Sequence, residues 1–117
     1  MFENLIKTKV ASGQIGIGTM LTEIRTPMII PLLARSGFDF VIVDCEHGTY
    51  SYHDLSTFVL ASKATNITVM ARSPSWDYIS LAKLWDCGAQ GLMIPRIETV
   101  EHVRSEERRV GKECRSR

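Results

Sequence analysis

The 117-residue sequence has only three cysteines, Cys45, Cys87 and Cys114, and no C-x-x-C spacing. An odd set so spaced supplies neither a disulfide framework nor a zinc knuckle. Reduced thiols are expected, with Cys45 and Cys87 acting as small buried apolar side chains. Long hydrophobic runs are also missing. Stretches such as Met28–Leu33 fall far short of the roughly 20 residues a membrane span requires. The opening MFENLIKTKVASG scatters charges and has no continuous apolar core. A secretory signal is therefore not expected and a cytoplasmic location is. Nor is there a glycine-rich phosphate cradle. Gly13, Gly16 and Gly18 read G-x-x-G-x-G before a strand, whereas a dinucleotide fingerprint reads G-x-G-x-x-G into a helix.

What is present describes an ordinary globular chain, 44% hydrophobic and 23% charged, of a length suited to one small domain. The net charge of +1 conceals an uneven distribution. Residues 104–117, RSEERRVGKECRSR, hold six of the fourteen Lys/Arg and three of the thirteen Asp/Glu, leaving eight basic and ten acidic residues before them. A basic arm of this kind can contact nucleic acid. The string also resembles the conceptual translation of a short-read sequencing adapter, and on that basis residues 104–117 are expected to be a non-native tail. No nucleic-acid partner is then implied. Residues 1–103 form the expected domain, truncated after Val103.

The spacing predicts a helix over Phe2–Ala11, stopped by Gly13, then a strand over Gln14–Leu21. Thr26–Pro27 is an expected N-cap for a helix running to Gly37, in which Pro31 either kinks the first turn or moves the start towards Ile30. Three strand–helix pairs follow. Phe38–Cys45 leads to a helix over Tyr52–Thr65 opened by SYHD. Ile67–Ala71 leads to Trp76–Cys87, closed by Gly88, and Gly91–Pro95 leads to a helix starting near Thr99. Strand starts recur about every 25 residues, the spacing of βα units in a parallel sheet. Continuous apolar strands imply a sheet covered on both faces, either a barrel or a doubly wound sheet.

In both architectures chemistry gathers where the strands end. The second strand leaves through Asp44-Cys45-Glu46-His47-Gly48, the third through Arg72-Ser73-Pro74 and the fourth through Pro95-Arg96. Asp44 and His47 can meet across the turn, the carboxylate accepting the ring N–H and raising the basicity of the other nitrogen. A capping Asp beside a surface His is the open alternative. Arg72 suits a ligand carboxylate or oxyanion, or an internal ion pair with Asp86 or Glu46. His53 and His102 offer less, and Trp76 and Trp85 fit core or interface positions. Lys63 and Lys83 lie within predicted helices, away from strand exits, so no Schiff-base lysine is expected.

The segments ARSGFDFVIVDCEHG, ARSP and LWDCGAQGLMIPRIET, the last containing D-x-G-A-x-G-x-x-x-P, occur in order. Over about residues 3–103 the chain resembles the HpcH/HpaI family of class II pyruvate aldolases, within the citrate-lyase-β-like superfamily. The resemblance implies the first half of a (β/α)₈ TIM-type barrel: an N-terminal helix and about four parallel βα units. It implies cleavage or formation of a carbon–carbon bond between pyruvate and an aldehyde, with Mg²⁺ or Mn²⁺ and a homo-oligomeric full-length protein. By the same resemblance His47 is the acid/base at the aldol hydroxyl, Asp44 orients it, and Arg72 stabilises the pyruvate enolate. Asp86 would support the arginine or a subunit contact. Glu46 lies close by without being a metal ligand, since the metal ligands belong to the second half of the barrel. The alternatives are a CoA-thioester lyase of the same superfamily and a non-catalytic α/β binding module. The isolated half-barrel is expected to be inactive.

Overall fold

The computed structural model describes residues 3–104. The expected tail, Cys114 included, lies outside them except for Arg104, as does Phe2. The elements are α1 (Leu5–Ala11), β1 (Gly18–Leu21), α2 (Ile29–Arg35), β2 (Phe40–Asp44), α3 (Tyr52–Ser62), β3 (Thr68–Arg72), α4 (Tyr78–Asp86) and β4 (Leu92–Met93). A further helical turn occupies residues 100–104. None of the described helices is long and apolar enough to cross a membrane.

The four strands are all parallel and lie side by side in chain order. A doubly wound sheet reverses its strand order at a switch point. No reversal occurs here, and the arrangement is that of the first half of a barrel.

The local chemistry explains the element starts. Asn4 caps α1 by accepting the Lys7 amide. At α3, Ser51 Oγ accepts the Asp54 amide at 3.1 Å while Asp54 returns the bond to the Ser51 amide at 2.8 Å, a complete capping box. Asp77 caps α4 by accepting the Ser80 amide at 2.9 Å, so this helix begins at Tyr78 and leaves Trp76 in the preceding loop. Thr26 provides no side-chain cap; α2 starts at Ile29 with Met28 at its N-cap. Pro31 therefore falls in the first turn, where its missing N–H costs no intrahelical bond. Strand β1 is shorter than expected, because the Ile17 amide donates to the Asp39 carboxylate instead of to a ladder.

One face of the sheet packs against α2, α3 and α4. Val41, Val43, Val69 and Ala71 meet Ile30, Leu55, Phe58 and Leu84 there, all essentially inaccessible. Phe58 receives Tyr50 edge-on with ring centroids 5.5 Å apart. The opposite face departs from the expectation of full cover. Ile42 and Met70 are half-buried, and Met20 and Met93 are exposed. At the end where the strands begin, α1 closes this face, donating the Ile6 amide to Thr68 Oγ1 at 3.4 Å. At the end where they leave, the face terminates in Asp44 and Arg72.

Candidate active site

Parallel pairing of β2 with β3 sets Asp44 opposite Arg72. Side chains at paired positions project to the same side of a pleated sheet, so an acid and a guanidinium 28 residues apart in sequence become neighbours. Arg72 Nε donates to Asp44 Oδ1 at 2.9 Å and its Nη2 to Oδ2 at 2.6 Å, a forked pair. Asp44 is buried, and its Oδ1 also accepts the amides of Glu46 and His47 at 3.0 and 3.1 Å. The Arg72 guanidinium first, and these amides with it, hold the carboxyl down at about 2 against the cost of burial.

The turn that follows is tied by its own backbone. The Gly48 amide donates to the Asp44 carbonyl at 3.1 Å, and the Cys45 amide continues the ladder to the Arg72 carbonyl at 3.0 Å. A Cβ at Gly48 would collide with the carbonyl oxygens of Asp44 and Thr22, so only glycine fits. Burial pushes the Cys45 thiol up to about 11, which keeps it unreactive at neutral pH.

The expected contact between the Asp44 carboxylate and the His47 ring does not form. Asp44 is committed to Arg72 and to main-chain amides, and the His47 ring lies 3.2 Å through Nε2 from Glu46 Oε1. Glu46, rather than Asp44, is the carboxylate beside the imidazole. The ring is 73% exposed. Oε1 of Glu46 also lies 3.5 Å from Arg72 Nε, and its Oε2 lies 3.9 Å from Arg96 Nη2. A single carboxylate consequently links the exits of β2, β3 and β4.

Asp86 is not at this site. It ends α4 and lines a cavity of about 690 Å³ with Glu3, Lys63, Thr68 and Gln90, at the end of the sheet where β3 begins. The expected support of Arg72 by Asp86 is replaced by Asp44 and Glu46. His102 stacks on Trp76 with centroids 4.8 Å apart. In the β3 exit loop Ser73, fully buried, donates to the Ser75 carbonyl, and Ser75 bonds Asp77, whose carboxyl is held at about 2 chiefly by that hydroxyl.

An α/β half-barrel that gathers an imidazole, two carboxylates and two guanidiniums beyond its strand ends defines a class of parallel-barrel scaffold. The particular family follows from comparison. The HpcH/HpaI aldolase/citrate lyase family profile matches residues 20–116, and the chain belongs to that family. A 4-hydroxy-4-methyl-2-oxoglutarate aldolase of Hapsidospora irregularis is 27% identical over 89% of this chain and 39% of its own length. A 4-hydroxy-2-oxovalerate aldolase of Novosphingobium aromaticivorans is 29% identical over 87% of this chain and 39% of its own. The crystal structure of an HpcH/HpaI aldolase from Desulfitobacterium hafniense DCB-2 superposes with a TM-score of 0.82 at 35% identity, covering 86% of this chain and 39% of that one. The chain thus spans about 40% of the length of the relatives it matches.

The residues present do not fit the divalent metal that the resemblance implies. Among the described residues no three His, Cys, Asp or Glu side chains converge as a ligand set. Both Asp44 oxygens are occupied by Arg72, and Glu46 lies against His47, Arg72 and Arg96. A hard cation would have to displace guanidinium groups from both carboxylates.

Proposed function

We propose that this chain is the acid/base and oxyanion-binding half of a 2-oxo-acid aldolase that cleaves a 4-hydroxy-2-oxo acid to pyruvate and an aldehyde. The observation that carries the reading is the bridge from His47 through Glu46 to Arg72 across adjacent strand exits. In the cleavage direction the His47 imidazole accepts the proton of the C4 hydroxyl, the C3–C4 bond breaks, and the aldehyde carbonyl forms. The electron pair passes into the C2 carbonyl as an enolate, which is then protonated at C3 to give pyruvate.

Arg72 suits the developing enolate oxygen because its fork on Asp44 consumes only two of five N–H donors. The remaining donors carry a fixed charge that needs no reorganisation as the oxyanion forms. Asp44 is on this reading the residue that aims Arg72, and Glu46 the one that orients His47. The carboxylates that hold Mg²⁺ or Mn²⁺ would belong to the strands that complete the barrel.

Pyruvate release from a 4-hydroxy-2-oxo acid by the whole protein tests the reading. His47→Ala is expected to lower kcat by about 10²- to 10⁴-fold, the ordinary yield of a positioned acid/base. Its stability should change by less than about 0.5 kcal/mol, since the ring is mostly solvent-exposed. An unchanged rate removes His47 from this role.

A further inference from the structure

Arg96, just past β4, contributes nothing to the steps above, yet the fold holds it in a defined place. It is the one non-glycine residue among those described with a positive φ, +56°, a conformation that costs an L side chain about 1 kcal/mol. Its Nη2 donates to the Pro74 carbonyl at 3.1 Å, which fixes it to the β3 exit loop, and lies 3.9 Å from Glu46 Oε2. The side chain is nevertheless 65% exposed. Its Nε and Nη1 groups have no partner among the described residues.

A guanidinium pinned at one nitrogen and open at the others offers a planar fork matched to a carboxylate. Arg72 differs, because its own fork is already filled by Asp44. Both guanidiniums lean on the two oxygens of Glu46, one on each, so they are close enough to bracket a short-chain substrate. Arg72 balances Asp44 and Arg96 balances Glu46, so the local charge suits a monoanionic carboxylate better than a dianionic phosphate.

We propose that Arg96 binds a carboxylate at the far end of the substrate, so that the site prefers 4-hydroxy-2-oxo dicarboxylates to counterparts with an uncharged end. The inference rests on the aldolase reading. The family leaves the point open, since 4-hydroxy-4-methyl-2-oxoglutarate carries a second carboxylate and 4-hydroxy-2-oxovalerate does not.

The test compares 4-hydroxy-2-oxoglutarate with 4-hydroxy-2-oxovalerate, which has a methyl in place of the distal carboxylate, as substrates of the whole protein. The unsubstituted protein should favour the dicarboxylate. Arg96→Gln should lower kcat/KM for it by about 10- to 100-fold, mainly through KM, and leave the oxovalerate within about twofold. Arg96→Lys should restore part of the preference. An equal loss on both substrates, or no loss on either, overturns the proposal while the aldolase reading stands. Turnover of neither substrate by the unsubstituted protein defeats the aldolase reading and the proposal with it.

Discussion

Strand β2 has an aspartate at each end, and the two are used differently. Asp39, just before the strand, pairs through Oδ1 with Lys9 at 2.8 Å and accepts the Ile17 amide at 2.9 Å, joining α1 and the entry to β1 to the sheet. Lys9 is 34% and Asp39 22% exposed. Asp44, the last residue of the strand, is forked onto Arg72 with a side chain only 2% exposed. The lower pair holds elements together. The upper pair is drier, more rigid geometrically, and leaves donors of Arg72 free to meet a ligand. One strand therefore carries a partly solvated ion pair where it enters the sheet and a buried, forked one where it leaves, the latter at the proposed site.

The difference should be largest when one partner is removed. Arg72→Ala leaves the Asp44 carboxylate buried without its cation, and breaking a buried pair in this way costs about 3–5 kcal/mol. Urea unfolding of the 117-residue chain would measure it. A loss below about 1 kcal/mol would mean that the Asp44 carboxylate is hydrated once the arginine is gone. The pair would then be no drier than its counterpart at the strand entry.

Acid separates Asp44 from a simple hydrogen-bond acceptor. Its folded pKa lies at about 2, below the ordinary 3.8, so the unfolded chain binds its proton first. The pair's contribution is therefore fully present above about pH 4 and is lost as pH falls from about 4 towards 2, by up to about 2 kcal/mol. Asp44→Asn, which cannot ionise, should flatten the stability profile over that window, whatever it costs at neutral pH. An unchanged slope would assign the acid sensitivity elsewhere, with Asp77, also held at about 2, the first group to examine.

Much of this arrangement is legible in the chain, and what is not has a physical reason. The 25-residue rhythm of the strands and the Ser51/Asp54 capping box are local signals that survive folding. The identity of the strand-exit residues is local too. Their partners are not. Asp44 and His47 stand three positions apart, which makes them the natural pair by sequence, but the register of β2 against β3 decides the contact instead. Register is a property of two strands at once, and no reading of either segment supplies it. Glu46 could have been found by asking which side chain remains for the imidazole once Asp44 is taken. The displacement of Asp86 follows from its position: in the last turn of a helix running back from the strand exits, it returns to the end where the strands begin.

The smallest expected effect sharpens the comparison most directly. Lys9→Ala removes the partner of an aspartate that stays within reach of water, so exposed-pair behaviour should apply, with a loss below about 1 kcal/mol that shrinks further in added salt. Asp39 keeps the Ile17 amide after the substitution, so its carboxylate is never stranded as Asp44 would be. Because α1 closes the opposite end of the sheet from Arg72 and His47, kcat in the whole protein should stay within about twofold. A stability loss approaching that of Arg72→Ala, measured in the same urea titration, would mean that α1 depends on this one contact. The two ends of β2 would then differ in chemistry but not in energetic weight.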